Sequence, residues 1–195
     1  MEWNLALLLY LVLQFFAFFF VLVATPLDVF RFKDIRNFTR NMCATLWGFQ
    51  LNCTSTKYDN SNDGLWRNCT SRRDRFRALQ AFALISIFVY GLAFVLGVIQ
   101  LFCCRWLRLV CLALNIVGVV TVFIIWIGIV VTFYKRDGQR CPGMNTVSTY
   151  GAGFVLFLLA WILDIANIVI LLLLSLYENS SETVSTVERK SQPGE

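Results

Sequence analysis

Asp164 is the residue with the most conspicuous chemical potential. It stands inside an apolar run, with Ala160-Trp161-Ile162-Leu163 before it and Ile165-Ala166 after it. A carboxylate at such depth costs ~3 kcal/mol on insertion scales, so it must face a bundle interior rather than lipid. Counted along helices at their known rise, Gln14, Tyr90, Thr121 and Asn167 fall within a turn or two of it. Such a set could form a proton or ion pathway. It could also be interhelical glue, worth ~0.6 kcal/mol per bond in membrane proteins. A single acid, with no second charge and no broken helix, favours glue.

Cysteine is the second reactive type. Cys43, Cys53, Cys69 and Cys141 lie in polar stretches, whereas Cys103 and Cys104 end an apolar one beside Arg105 and Arg108. Juxtamembrane cysteines such as Cys103 and Cys104 are candidates for reversible palmitoylation, the alternative being small lipid-compatible residues. Cys111, inside an apolar run, reads as packing.

Catalysis has little else to use. The chain has no histidine, which removes the commonest general base and the commonest zinc ligand. No Walker loop, metal-binding His–Glu helix, nucleophile elbow or dinucleotide fingerprint appears. The basic residues of the first loop sit among cysteines and sequons, not in a nucleic-acid-binding module. The expectation is a non-enzyme that needs no cofactor and binds no nucleic acid.

The elements that hold these residues follow from composition. Hydrophobic residues fill 58% of the 195 positions and charged ones 15%, against ~25% charged in ordinary soluble domains. The apolar residues come in blocks, each longer than the ~20 that cross a bilayer. Only a helix can carry such a run through lipid with its backbone satisfied. The chain therefore divides into helix 1–24, loop 25–77, helix 78–104, turn 105–106, helix 107–133, loop 134–150, helix 151–176 and a disordered tail 177–195. Met1-Glu2 supplies no positive n-region, so the first block reads as a retained helix rather than a signal peptide. Ala93 and Gly97 form a small-xxx-small pair, and Gly118 and Gly128 allow similar close approach. Trp3, Trp106, Tyr134, Tyr150 and Tyr177 read as interfacial anchors.

Both termini share one side, and two physical rules disagree about which. The two loops carry thirteen Lys and Arg, against four at Arg105, Arg108, Arg189 and Lys190, so the positive-inside rule places the loops in the cytoplasm. Cys43, Cys53, Cys69 and Cys141 form an even set on one side, as an oxidising compartment allows. Sequons at Asn37, Asn52 and Asn68 also fit the outside. The expectation is extracellular loops, cytoplasmic termini and glycosylation at those asparagines.

Along Thr45, Trp47, Phe49 and Leu51 large side chains alternate with Leu46, Gly48 and Gln50, a strand-like period. Residues 59–64 (Asp-Asn-Ser-Asn-Asp-Gly) read as a turn cluster. A short antiparallel sheet fits; an irregular stapled loop is the alternative.

The stretch Cys43-Ala44-Thr45-Leu46-Trp47-Gly48-Phe49-Gln50-Leu51-Asn52-Cys53 resembles the signature of the amastins, surface glycoproteins of trypanosomatid parasites. Ala44 departs from that pattern, being small where a bulkier residue is usual. Arg77-Ala78-Leu79-Gln80-Ala81-Phe82-Ala83 is amastin-like as well. The run Gly64-Leu65-Trp66-Arg67-Asn68-Cys69 is similar to a claudin first-loop motif, without the second cysteine that follows there. These resemblances imply an all-α integral membrane protein: a four-helix bundle carrying a small, β-rich, disulfide-stapled extracellular domain. They also imply a plasma-membrane surface glycoprotein, acting in parasite–host contact or, in the claudin manner, in adhesion. The expected partners are the lipid bilayer, sister copies, and a host-cell surface or anionic glycan.

Four outer cysteines allow three pairings. The ten-residue separation of Cys43 and Cys53 across a hairpin suits the ~5.5 Å Cα spacing of a disulfide, which leaves Cys69 for Cys141.

Overall fold

In a computed structural model, residues 2–33, 42–55, 57–102, 107–138 and 141–190 are described, with side chains between 5 and 176. The apolar blocks form four long helices, α1 (Glu2–Ala24), α3 (Thr70–Phe102), α4 (Leu107–Tyr134) and α5 (Ala152–Lys190), and a short α2 (Asn62–Leu65) precedes α3. Each long helix holds a stretch long and apolar enough to cross a membrane, at mean hydropathies of 2.6 to 2.8. The protein is a four-span membrane protein. In the bundle, α1 packs on α3 and α5, and α4 packs on the other faces of those two.

Unlike a soluble bundle, this one carries large apolar side chains on its outer faces as well as in its core, where Ile125, Ile129, Phe157 and Leu171 are buried. Large apolar side chains point outward, among them Leu8, Phe19, Phe88, Val120, Ile162 and Leu173. The interior holds small residues (Ala17, Ala83, Ala93, Ala160) and polar ones (Gln14, Ser86, Asn115, Asp164, Asn167). Lipid is as apolar as leucine, so burying leucine gains little; close backbone approach and interhelical hydrogen bonds hold such bundles instead. Gly97 lets α1 approach, since a Cβ there would stand 2.8 Å from the Leu11 side chain.

Five short strands make one antiparallel sheet at the end of the bundle. They are β1 (Asp28–Phe32), β2 (Cys43–Thr45), β3 (Gly48–Gln50), β4 (Asn60–Ser61) and β5 (Ser148–Tyr150), in the order β4-β3-β2-β1-β5. Strand β5 comes from the second loop and pairs Phe30 with Tyr150, so the sheet joins both loops.

Four expectations need correction. The second long helix begins at Thr70, not at 78. Its first two turns are amphipathic, with Arg72, Phe76, Leu79 and Ala83 forming one buried face, so a search for unbroken apolarity passes them by. The tail is helical to Lys190; residues 177–190 contain neither Gly nor Pro, and extending a formed helix costs little. The alternating run through Thr45, Trp47 and Phe49 is two strands, with Leu46 and Trp47 between them. The 59–64 cluster is not a plain turn: it supplies β4 and then α2, whose N-cap is the Ser61 side chain accepting from Gly64 N.

Candidate functional site

The signature segment is a tight hairpin in which one hydroxyl organises the turn. Thr45 Oγ1 accepts from the backbone N–H of Trp47 and of Gly48, each at 3.1 Å, and donates to the Gly48 carbonyl at 3.1 Å. Leu46 turns into the core, fully buried. Its carbonyl accepts from Gln80 Nε2 at 2.7 Å and also from Asn62 Nδ2. Trp47 reaches down, its Nε1–H donating to the Thr25 carbonyl just beyond α1 at 3.1 Å. Gly48 is needed for strand approach: a Cβ there would lie 2.6 Å from the Asn60 carbonyl oxygen of β4. Gln50 is buried opposite Cys43. Cys43 and Cys53 are disulfide-bonded across the hairpin with Cα atoms 5.3 Å apart.

A second staple joins the two loops. Cys69, immediately before α3, is bonded to Cys141 with a Cα separation of 6.0 Å. Beside it Arg72 is almost wholly buried. Its guanidinium donates to the Pro142 carbonyl at 2.7 Å and lies 3.5 Å from Asp137. It also lies over the Trp66 ring at 4.8 Å, while Trp66 stacks on Phe76 at 6.0 Å. Arg75 completes the cluster through a 2.6 Å ion pair with the same Asp137. One carboxylate thus serves two arginines and pins the second loop to the start of α3. Leu65, on α2, packs against this core and Gly64 N–H meets its Ser61 cap. Arg31 pairs with Asp28 at 2.6 Å, and Arg77 with Asp63 at 2.9 Å. The Arg77 contact, chiefly its hydrogen bonds, holds the Asp63 carboxyl below its ordinary range.

A family model described as Amastin surface glycoprotein matches residues 15–171. The chain belongs to the amastin family. It is a multi-pass membrane surface glycoprotein of that family. No curated protein matches it. The match covers the sheet, both staples, the whole of α4 and α3, the last part of α1 and the first part of α5, so it takes in most of the bundle as well as the signature.

Inside the bundle, the amastin's polar side chains form short pairs rather than one ring around Asp164. Asn167 Nδ2 donates to Gln14 Oε1 at 2.8 Å, linking α5 to α1. Thr121 accepts from Ser86 at 3.0 Å, linking α4 to α3, and donates to the Gly118 carbonyl of its own helix at 3.0 Å. Asn115 donates to the Tyr10 hydroxyl at 3.1 Å. Tyr90 faces Asp164, and a Cβ on Gly118 would stand 2.7 Å from the Asp164 carboxyl and 2.9 Å from the Tyr90 ring. Neither carboxyl oxygen of Asp164 nor the Tyr90 hydroxyl closes a well-aligned hydrogen bond among the described residues. The contact is tight and leaves no room for another side chain.

The other sequence candidates are dispersed. Asn52 and Asn68 are exposed, and Thr54 donates its hydroxyl to Asn52 Oδ1 at 2.9 Å. Asn37, Cys103 and Cys104 lie outside the described residues, as do the side chains of Trp3, Trp106 and Tyr177. Tyr150 is half-buried in β5, two residues before α5 begins. It stacks at 4.3 Å on both Phe133 and Phe154, and burial pushes its phenol up to about 12. Cys111 is buried and free. Among the described residues no group of three or more His, Cys, Asp or Glu converges to hold a metal.

The residues that sequence reasoning missed are Arg72, Arg75 and Asp137 in the stapled end, and Tyr10, Ser86 and Asn115 in the bundle. A usable signal existed. Tyr10 and Gln14, like Ser86 and Tyr90, are four apart and so share a helix face.

Proposed function

We propose that this amastin is a structural and interaction protein of the plasma membrane, without catalytic activity. Both termini are cytoplasmic and the stapled domain faces outward. The first loop meets an anionic glycan or host-cell surface, or sister copies, in parasite–host contact. The observation that supports this reading is how the domain distributes its cations. Arg31, Arg72, Arg75 and Arg77 are tied to Asp28, Asp137 and Asp63. Lys33, Lys57, Arg67, Lys135 and Arg136 are exposed, and no ion pair involves them among the described residues. A rigid platform with free surface cations suits an acidic, multivalent partner.

The test is sulfated-glycan binding to intact expressing cells, together with orientation. Lys57→Glu with Arg67→Glu should weaken binding about tenfold, since such contacts are electrostatic. A tail antibody should stain only permeabilised cells, and Asn37→Gln should abolish most of the glycosidase-sensitive mass. Staining of the tail on intact cells, with an unglycosylated first loop, would sink the proposal.

A second reading, a small transporter, is favoured by one observation: the fully buried Asp164 carboxyl with no well-aligned partner. A pH-dependent flux in liposomes, lost in Asp164→Asn, would establish it instead.

A further inference from the structure

Two of the three sequons in the first loop have a staple cysteine as their middle residue. Asn52-Cys53-Thr54 contains one end of the Cys43–Cys53 bond, and Asn68-Cys69-Thr70 one end of the Cys69–Cys141 bond. Asn37-Phe38-Thr39 holds no cysteine. Glycan attachment requires the asparagine amide and the threonine hydroxyl of a sequon to enter the transferase's peptide groove together, on a segment free to move there. The folded chain withholds that freedom at both stapled sequons.

At the first, the two side chains are turned on each other. Asn52 Oδ1 accepts from the Thr54 N–H at 3.2 Å and from the Thr54 hydroxyl at 2.9 Å, and the Asn52 carbonyl accepts from the Ser55 N–H at 2.9 Å. At the second, Thr70 is already the first residue of α3. The Cys69 N–H donates to the Trp66 carbonyl at 2.9 Å, and the Cys69 carbonyl accepts from the N–H groups of Arg72 and Arg73 at 3.0 Å. Hydrogen bonds alone have a small net worth and open readily. A covalent bond through the middle residue does not, so closure of each staple locks its sequon. The reverse order meets no obstacle. Asn52 and Asn68 are both exposed, so a glycan already attached projects into solvent.

The two staples cannot close at the same moment of synthesis. Cys43 precedes Cys53 by ten residues and is in place when Cys53 emerges. Cys69 waits for a partner 72 residues later, beyond α3 and α4. At ~5–20 residues per second that wait is roughly 4–14 s, against closure chemistry that takes seconds at its fastest.

We propose that Asn68 is a second, fractionally occupied glycan site, filled before the Cys69–Cys141 bond closes, and that the Cys43–Cys53 bond keeps Asn52 bare. In the transfer, Asn68 Nδ2 bonds to the anomeric carbon of a lipid-linked oligosaccharide. The bond from that carbon to the lipid pyrophosphate breaks, the pyrophosphate leaves with the electron pair, and the displaced amide proton is released. Each staple closes by exchange with a carrier disulfide, which departs as a dithiol with the two electrons and two protons of the cysteines. Asn37 stays the main carrier. This assignment rests on the outward orientation of the loops proposed above.

The test expresses the full chain in glycosylating cells and maps total cellular protein. Glycosidase treatment in heavy-oxygen water turns each glycan-bearing asparagine into a labelled aspartate. In the parent, label at Asn68 should exceed that at Asn52 at least about threefold, the wait for Cys141 being several times the closure time, and both should lie below Asn37. Cys43→Ser leaves the Asn52 sequon intact and should raise its label at least about threefold by the same ratio. Cys141→Ser should raise Asn68 and leave Asn52 unchanged. A pulse of dithiothreitol during synthesis holds both staples open in the unaltered sequence and should raise both labels. Should a variant mispair its cysteines, this arm decides the question alone. Equal label at Asn52 and Asn68 in the parent, or an Asn52 label unmoved by Cys43→Ser and by the reductant, would overturn the proposal and leave the outward orientation standing. Absence of label at all three asparagines would overturn the orientation as well.

Discussion

The stapled end and the middle of the bundle both bury polar groups, and they stabilise them by different means. At the stapled end a single carboxylate, Asp137, serves Arg72 and Arg75, and the Cys69–Cys141 bond stands beside it. In the bundle, Asp164 has Tyr90 and Gly118 against it, with no cation paired to it and no crosslink beside it among the described residues. The stapled end lies next to water, where an unpaired segment can leave the sheet and be solvated, so covalent and ionic ties limit the unfolded alternatives. The bundle has no such competitor. In hydrocarbon each helix keeps its own backbone bonds whether or not it packs, so weak side-chain pairs and close contacts suffice. Interactions that hold loops should therefore cost more to remove than those that join helices.

Cutting the loop-to-loop staple should have the largest effect. Cys69 and Cys141 are 72 residues apart, and closing a loop of that size is worth about 4 kcal/mol in the chain-entropy account. Cys69→Ser with Cys141→Ser should lower the thermal midpoint of the detergent-solubilised protein far more than Cys43→Ser with Cys53→Ser, whose shorter loop is worth roughly 3 kcal/mol. Equal losses would break the ordering.

Next comes Asp137→Ala, which leaves Arg72 buried without its counter-ion. A broken buried pair costs about 3 kcal/mol at the low end of its range, the low end applying here because the Pro142 carbonyl and the Trp66 ring remain. Adding Arg72→Met should restore much of the loss. If the double variant is no better than Asp137→Ala, stranded charge is not the cause.

Asp164 sharpens the contrast from the other side. Asp164→Asn should shift stability by no more than about 0.6 kcal/mol, the scale of one membrane hydrogen bond, because the carboxyl closes no well-aligned bond among the described residues, and it should leave surface delivery near normal. A loss as large as that of Asp137→Ala would show that the bundle depends on its polar centre.

The smallest effect belongs to Asp63 and Arg77, both exposed. The Arg77 hydrogen bonds hold the Asp63 carboxyl below its ordinary range. A depressed carboxyl stabilises the fold above its unfolded value, and that contribution fades as pH falls through the folded value. Asp63→Asn should thus be slightly less stable than the parent at neutral pH, the difference fading as pH falls below about 4, where the parent's carboxylate is protonated as well. A loss in urea titration that persists undiminished at the acid end would mean that Asp63 has a structural part beyond this pair.

The membrane class and the four helices were legible because lipid imposes a one-dimensional rule: about twenty apolar residues in a row make a span, wherever the others lie. The amastin signature was equally legible, since Thr45, Leu46, Trp47 and Gly48 act within a few residues of one another. Boundaries were less so. Residues 70–77 joined α3 with Arg72 facing the second loop and Phe76 stacked on Trp66, surfaces that a search for unbroken apolarity does not register.

Sequence alone therefore determined that four segments are long and apolar enough to span lipid and which residues form the hairpin, because those depend on neighbours in the chain. Only the tertiary structure decided that Asp137 would neutralise two arginines from sixty residues earlier, that Thr121 would turn to Ser86 rather than Asp164, and that Phe32, Leu65 and Met144 would wall one groove. Those outcomes depend on how strands and helices distant in sequence pack together, and burial turns each such meeting into an energetic requirement.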